Sequence, residues 1–336
     1  MDPVDALTEI AYLLERSLAS SFKTKAFRTA ADALAKIPAS ERAEKAQNGS
    51  LKRTKGIGGT TFEVITEALD GHVPAYLADL RERTAAPLTS GGRDIRKLLK
   101  GDLHSHSDWS DGTTSIQSMA DTARWLGHDY LVLTDHSPHL RVANGLSAER
   151  LTEQLDVVDS LNGSGDFTLV SGIEVDILDD GALDQTPDML GRLSVVVASV
   201  HSKLRMDSGP MTERMLAAVR NPQTNVLGHC TGRLVEGSRG TRPQSTFDAN
   251  AVFAACAENS VAVEINSRPE RQDPPDDLIA IALEAGCLFS IDSDAHAPGQ
   301  LGFLDYGAER AEKNGVPPER IVTTWELDRL LDWARA

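Results

Sequence analysis

The sequence predicts an α/β fold, a barrel of seven parallel strands preceded by a small all-helical domain. Three observations carry this expectation. Residues 1–84 hold apolar residues at helical spacing only. From residue 98 onward, short apolar runs alternate with helix-period segments, as strands and helices do when they build a parallel sheet. Those runs are evenly spaced, and no Gly-rich dinucleotide fingerprint follows the first, which favours a closed barrel over an open doubly wound sheet. A length of 336 residues accommodates one large domain and one small one.

Taken in order, Ala6, Ile10, Leu13 and Leu14 mark a first helix over 6–18. A second runs over 26–37 and is stopped by Pro38. A third spans 39–48. In RTKGIGGTTFEVITEAL (53–69) a Gly-rich turn opens a fourth, and Pro74 begins a last short one. Residues 85–97, AAPLTSGGRDIRK, read as a linker, and the second domain is expected over 98–336. Its strands are expected at 98–103, 130–134, 168–173, 193–200, 225–227, 262–265 and 288–291. Its helices are expected at 115–126, 148–161, 186–191, 212–219, 246–259 and 276–285.

Composition excludes several classes. With 40% hydrophobic and 25% charged residues, the chain is neither disordered nor fibrous. No apolar run approaches the roughly 20 residues of a membrane span. The start, MDPVDALTEIAYLLE, is acidic and amphipathic, unlike a signal peptide. Cys230, Cys256 and Cys287 are scattered, which suits a reducing cytoplasm and builds neither a disulfide framework nor a zinc ribbon. Residues 1–100 hold 16 basic and 13 acidic residues, against 18 and 37 in the remainder. The second part as a whole should repel a polyanion, except where bound cations reverse the field.

Chemistry collects at the strand ends. GDLHSHSDWSDG brings His104, His106 and Asp111; LTDHSPH brings Asp135, His136 and His139. GIEVD brings Glu174 and Asp176, SVHSK brings His201, and LGHCTGR brings His229. VEINSRPER brings Glu264, Asn266, Arg268 and Arg271, and IDSDAH brings Asp292, Asp294 and His296. Parallel strands in a barrel deliver these ends to one face. Histidines and carboxylates from many strands indicate a multinuclear metal site. Nitrogen and oxygen donors without thiolate suit Zn, Mn or Fe.

HSHSDWSDG, TDHS, the glutamate ending strand three, SVH, GH and DSDAH together resemble the PHP (polymerase and histidinol phosphatase) superfamily. The resemblance covers about residues 98–336 and implies a distorted seven-stranded β/α barrel with two or three divalent ions. It implies one ion held by His104, His106, Glu174 and Asp294. A second would share Glu174 and take His201 and His229, and a third would take Asp111, His136 and His296. Within that superfamily, TDHSPHLRVANGLSAERL (134–151), GHCTGRLV (228–235) and EINSRPERQD (264–273) look like the C-terminal domain of bacterial family X DNA polymerases. FKTKAFRTAADAL (22–34) and TKGIGGTTFEVITEAL (54–69) resemble the helix-hairpin-helix domain at the start of those polymerases. Their nucleotidyl-transferase core has no counterpart here, since only about residues 85–97 lie between the two parts. Polymerase activity is therefore expected to be absent.

Gly56 and Gly58 would let backbone approach a DNA phosphate, with Lys52, Arg53 and Lys55 beside them. On the barrel, Arg233 and Arg271 are the candidate substrate-phosphate contacts. Asp135 or Asp292 would accept or relay a proton. The expected reaction is phosphoester hydrolysis by a metal-activated hydroxide, without a Ser or Cys nucleophile. The expected substrate is a DNA end, as for a 3′-5′ exonuclease or a repair phosphodiesterase. A small phosphate ester of the histidinol-phosphate type is the alternative.

Overall fold

The structure, a computed structural model, describes residues 1–163, 165–237 and 240–336. The chain forms two compact units, Met1–Pro87 and Leu88–Ala336. Among the described residues, no helix is long and apolar enough to cross a membrane.

The first unit contains α1 (Pro3–Arg16), α2 (Ser21–Ala35), α3 (Ala39–Gln47), α4 (Gly59–Leu69) and α5 (Ala75–Arg83). Asp2 caps α1 by accepting from the Val4 N–H at 2.7 Å. Ala6, Leu7, Ile10, Ala11 and Leu14 form the buried face of α1, and share one core with Phe27, Leu34, Leu51, Ile65 and Leu77. In the turn before α4, Gly56 has φ +97°, and a Cβ there would lie 2.9 Å from Thr29 Cγ2. Glycine is thus required by close packing on α2, independently of any ligand.

The second unit opens with α6 (Arg93–Leu98) and then alternates strands with helices. In order they are β1 (Gly101–Ser105), α7 (Ile116–Trp125), β2 (Tyr130–Leu133), α8 (Ala148–Leu161), β3 (Thr168–Asp176), α9 (Pro187–Leu190) and β4 (Val195–Ser199). There follow α10 (Ser208–Val219), β5 (Val226–Leu227), α11 (Ala249–Glu258), β6 (Ala262–Asn266), α12 (Asp276–Glu284), β7 (Phe289–Asp292), α13 (Leu304–Lys313) and α14 (Leu327–Arg335). The strands pair in sequence order and every pair is parallel.

The barrel is nearly closed. Among the described residues β1 and the segment that follows β7 meet at one parallel bridge, Ser105 to Ala295. Two carboxylates replace the missing ladder. Asp292 accepts from the Leu103 N–H at 2.8 Å, and Asp102 accepts from the Ser293 N–H at 3.2 Å. Inside, alternate strand residues form two layers. Val170, Val195, Val197, Val226 and Ala262 make an apolar floor with Val322, Trp325 and Leu330 from the C-terminal segment. Further along their strands, Glu174, four residues beyond Val170, and Glu264, two beyond Ala262, are buried above it.

The segment expected as a linker is partly helical, and the first strand starts at Gly101 rather than 98. The hold on this segment comes from α13. Glu309 accepts from the Ser90 and Gly91 N–H groups, Glu312 accepts from the Gly92 N–H at 2.7 Å, and Arg96 donates to Asp305 at 3.1 Å. A Cβ on Gly92 would sit 2.3 Å from the Glu309 backbone nitrogen. No local pattern reveals partners lying more than two hundred residues downstream. The helices α13 and α14 are additions to the sequence expectation.

Candidate metal centre

Each strand end except that of β6 brings candidate ligands to one spot. Glu174 on β3 is at its middle. Its Oε2 lies 3.3 Å from His104 Nε2, 3.7 Å from His106 Nε2 and 2.8 Å from His136 Nδ1. Its Oε1 lies 3.2 Å from His201 Nε2 and 2.9 Å from His229 Nε2. Further out, Asp111 Oδ1 is 3.4 Å from His136 Nε2 and 3.3 Å from His296 Nε2. Asp294 Oδ1 is 3.5 Å from His106 Nε2. All nine side chains expected as ligands are therefore brought together.

The donors fall into four overlapping groups: His106, Asp111, His136 and His296; His104, His106 and Asp294; His104, Glu174 and His229; His136, Glu174 and His201. The groups overlap the partition that the family resemblance implies: Glu174 Oε1 faces His201 Nε2 and His229 Nε2 together, and Asp111, His136 and His296 fall in one group.

The donor set fits divalent ions. Both Glu174 oxygens, both nitrogens of His106, His201 and His229, and His104 Nε2 are buried without a hydrogen-bond partner. Buried polar atoms are normally paired, so this concentration of orphans needs a missing partner. Six imidazoles are packed with ring centroids 4.2 to 6.2 Å apart. Burial, with His296 and His136 alongside, holds His106 well below the usual imidazole range. Burial pushes Glu174 up, but His104, His201 and His136 outweigh it and hold the carboxyl well below its usual range. Burial likewise opposes ionisation of Asp294, and Arg271 and His106 overcome it. The centre thus keeps Glu174 and Asp294 ionised and His106 neutral. Against burial, Glu174 raises His104, His136 and His201 above the usual imidazole range, and metal ligation would release their protons.

A helix-hairpin-helix domain model matches residues 1–74, and a PHP domain model matches residues 102–268. The chain thus carries a helix-hairpin-helix domain at its start and a PHP domain after it. It is 35% identical over 230 residues to the DNA polymerase/3′-5′ exonuclease PolX of Bacillus subtilis (strain 168). That match takes in 68% of this chain but only 40% of the polymerase. A probable phosphatase of Caldicellulosiruptor bescii is 25% identical over 235 residues, 67% of this chain and 91% of that protein. Among solved structures, a histidinol phosphate phosphatase from Lactococcus lactis, complexed with zinc, L-histidinol and phosphate, aligns at a TM-score of 0.47 and 17% identity. That alignment covers 65% of this chain and 94% of that one.

Around this site, four side chains expected to relay a proton or contact substrate phosphate have partners within the protein. Asp135 is one of them. Its oxygens accept from the Ser107 N–H at 2.8 Å, Ser107 Oγ at 2.6 Å, Gln154 Nε2 at 2.7 Å and the Ser110 hydroxyl. It clamps the loop that leads to Asp111. Asp292 is the barrel-closing carboxylate, and burial beside Asp102 and Glu264 pushes it well above its usual range. Arg271 is buried and donates from Nε to Asp294 Oδ2 at 3.0 Å, so it braces a candidate ligand. Arg233 donates to the backbone carbonyls of Arg271 and Gln272 and supports that same loop. Such groups look free in a sequence because their partners, side chain or backbone, lie on other strand ends and the segments that follow them.

Lys52, Arg53, Lys55 and Gly58 are exposed in the first unit, and Gly56 is half-buried. The Lys52 ammonium lies 5.7 Å from the Phe62 ring centre. The Gly58 N–H donates to Thr61 Oγ1 at 2.9 Å, which occupies one of the donors expected to meet a phosphate. Glu264 stands at a strand end, and its sequence position alone assigns it no role. A carboxylate inside the apolar run VAVEI was the signal.

Proposed function

We propose that this protein is a divalent-metal-dependent phosphodiesterase acting on DNA ends, without polymerase activity. The observation that supports it best is the pairing in one chain of a helix-hairpin-helix domain with a PHP domain. The similarity to a protein named as a polymerase and 3′-5′ exonuclease supports it further. The matched spans end at residue 74 and resume at 102, too short an interval for a polymerase core.

In this reading His104, His106, Asp111, His136, Glu174, His201, His229, Asp294 and His296 hold two or three ions. When bound, the ions supply Lewis-acid charge at the phosphoryl oxygens and acidify water. The protein's own residues do the positioning. Glu174 joins the two sides of the centre, and Arg271 holds Asp294 in place. The clamp at Asp135 presents Asp111 to His136 and His296. The exposed cations Lys52, Arg53 and Lys55 meet the DNA backbone.

A second reading, a small-ester phosphatase, is favoured by the relatives named probable phosphatases, which match this chain over about nine-tenths of their own length. Metal analysis followed by parallel assays on a 3′-ended oligonucleotide and on histidinol phosphate separates the two. The first reading expects the oligonucleotide to be shortened at the greater kcat/KM. It fails if histidinol phosphate is turned over far faster than any oligonucleotide.

A further inference from the structure

We propose that Glu264 is a positioning residue that sets the metal affinity of the centre by fixing which ring nitrogen of His104 faces it. The inference rests on the reading of the nine side chains as ligands and adds a layer beneath them. Strand β6 is the one strand whose end supplies none of the nine. It supplies instead Glu264 and Asn266, both fully buried.

Glu264 Oε1 lies 2.6 Å from His104 Nδ1. Its Oε2 accepts from the backbone N–H of His229 and from Asn266 Nδ2 at 3.2 Å. The His229 N–H can only donate, so that oxygen is held as an acceptor. Asn266 cannot be turned the other way round. Its Oδ1 accepts from the Arg268 N–H at 3.1 Å, and its Nδ2 also donates to Asp294 Oδ2 at 3.1 Å. Glu264 therefore sits in a donor-lined pocket that suits a carboxylate. When an ion takes Nε2, the one proton that His104 keeps is held at Nδ1 by that carboxylate. Nε2 itself faces Glu174 Oε2 at 3.3 Å, where it has no hydrogen-bond partner. One side chain thereby orients a β1 ligand and steadies the backbone of a β5 ligand. Asn266 extends the same brace to Asp294 on the far side.

Partners of this kind change metal affinity by about 10- to 100-fold when removed. Glu264→Gln is the informative change, because an amide has one acceptor oxygen and must meet donors on both sides, His104 Nδ1 on one and the His229 N–H and Asn266 Nδ2 on the other. Turned one way, its NH2 faces His104 Nδ1 and favours the Nε2–H tautomer, which blocks the metal-facing nitrogen. Turned the other way, its NH2 opposes the His229 N–H.

The test is zinc binding by chelator competition on the wild-type chain and on E264Q, with circular dichroism to establish folding. A second measurement is the long-range 1H–15N spectrum of the histidine rings in the zinc-loaded wild type. The expected results are a zinc dissociation constant about 10- to 100-fold weaker in folded E264Q, and a His104 ring protonated at Nδ1 in the wild type. A folded E264Q with zinc affinity within about twofold of wild type overturns the proposal, given that scale. So does a wild-type His104 protonated at Nε2, and this spectrum decides the matter if E264Q fails to fold. A wild-type chain that binds no divalent ion overturns the ligand reading itself, an outcome distinct from the other two.

Discussion

The two units solve the problem of burial in opposite ways. The first buries aliphatic and aromatic side chains, with Glu15 and Arg42 among its few buried charged residues. Glu15 is paired with Arg28 at 2.8 Å. The second buries His104, His106, Glu174, His229, Glu264 and Asp294 at the centre of its barrel and leaves many of their atoms unpartnered. A core of the first kind is complete without a ligand. One of the second kind leaves polar atoms that a bound species would complete, so the frustration marks the candidate site. The comparison also corrects the charge argument. Residues 1–87 hold 12 basic and 12 acidic residues, and residues 88–336 hold 22 and 38. The excess of positive charge counted over 1–100 came from Arg93, Arg96, Lys97 and Lys100, which belong to the barrel unit. DNA contact by the first unit must therefore rest on the local cations at 52–55 and not on its net charge.

The largest effect should come from the hub of the barrel. Glu174→Gln removes one charge facing five imidazoles, and should abolish divalent binding and lower hydrolysis by about 10³-fold or more. Metal content and a phosphodiester assay on the same preparation check this; full metal content in the variant would break the contrast between the units.

Next is a pH effect away from the ligands. Both ring nitrogens of His128 are buried without a partner, and burial beside Arg96 pushes its pKa down to about 3. Between that value and the ordinary 6.5, the unfolded chain binds a proton that the folded chain refuses. Stability is therefore fully present above about pH 6.5 and falls as the pH drops toward 3, by at most about 4–5 kcal/mol from this group. Denaturant unfolding of His128→Gln across that range should give a flatter curve than wild type.

Asp135→Asn should destabilise the folded barrel by about 2–3 kcal/mol, because a carboxylate accepting four hydrogen bonds becomes an amide. A variant of undiminished stability with a sharply reduced kcat would restore Asp135 as a proton relay.

A smaller change belongs to the first unit. Reversing Lys52, Arg53 and Lys55 to Glu should weaken oligonucleotide binding by about tenfold at low salt and reduce the salt slope by up to about 3. Binding titrations at several salt concentrations read both. An unchanged slope would place any DNA contact elsewhere.

The smallest effect is expected from removing the first unit. A chain beginning at Leu88 keeps Ser90 and Gly91 on Glu309, and should hydrolyse a chromogenic phosphodiester at a rate within about twofold of the full chain, since every candidate ligand lies beyond it. If that chain folds and binds metal yet hydrolyses nothing, the division of labour is wrong.

Much of this was legible in the sequence by itself. Alternating strand and helix periods specify a parallel sheet, and seven apolar runs correspond to seven strands. Histidine and carboxylate at successive strand ends specify a convergent site, because parallel strands in register bring their ends to one face. Both are short-range properties repeated along the chain, so local reading recovers them. Tertiary structure alone decided the roles within that site. Asp135, Asp292, Glu264 and Arg271 are ionisable groups at strand ends like the nine, and composition cannot rank them. What separates them is the atom each one meets: a loop N–H for Asp135, the seam of the barrel for Asp292, a ligand ring for Glu264, a ligand carboxylate for Arg271. The same holds for 93–98, whose helix stands on carboxylates of α13. Hydrogen bonds are directional and short, so which buried group is left free for chemistry depends on partners brought close only when the barrel closes.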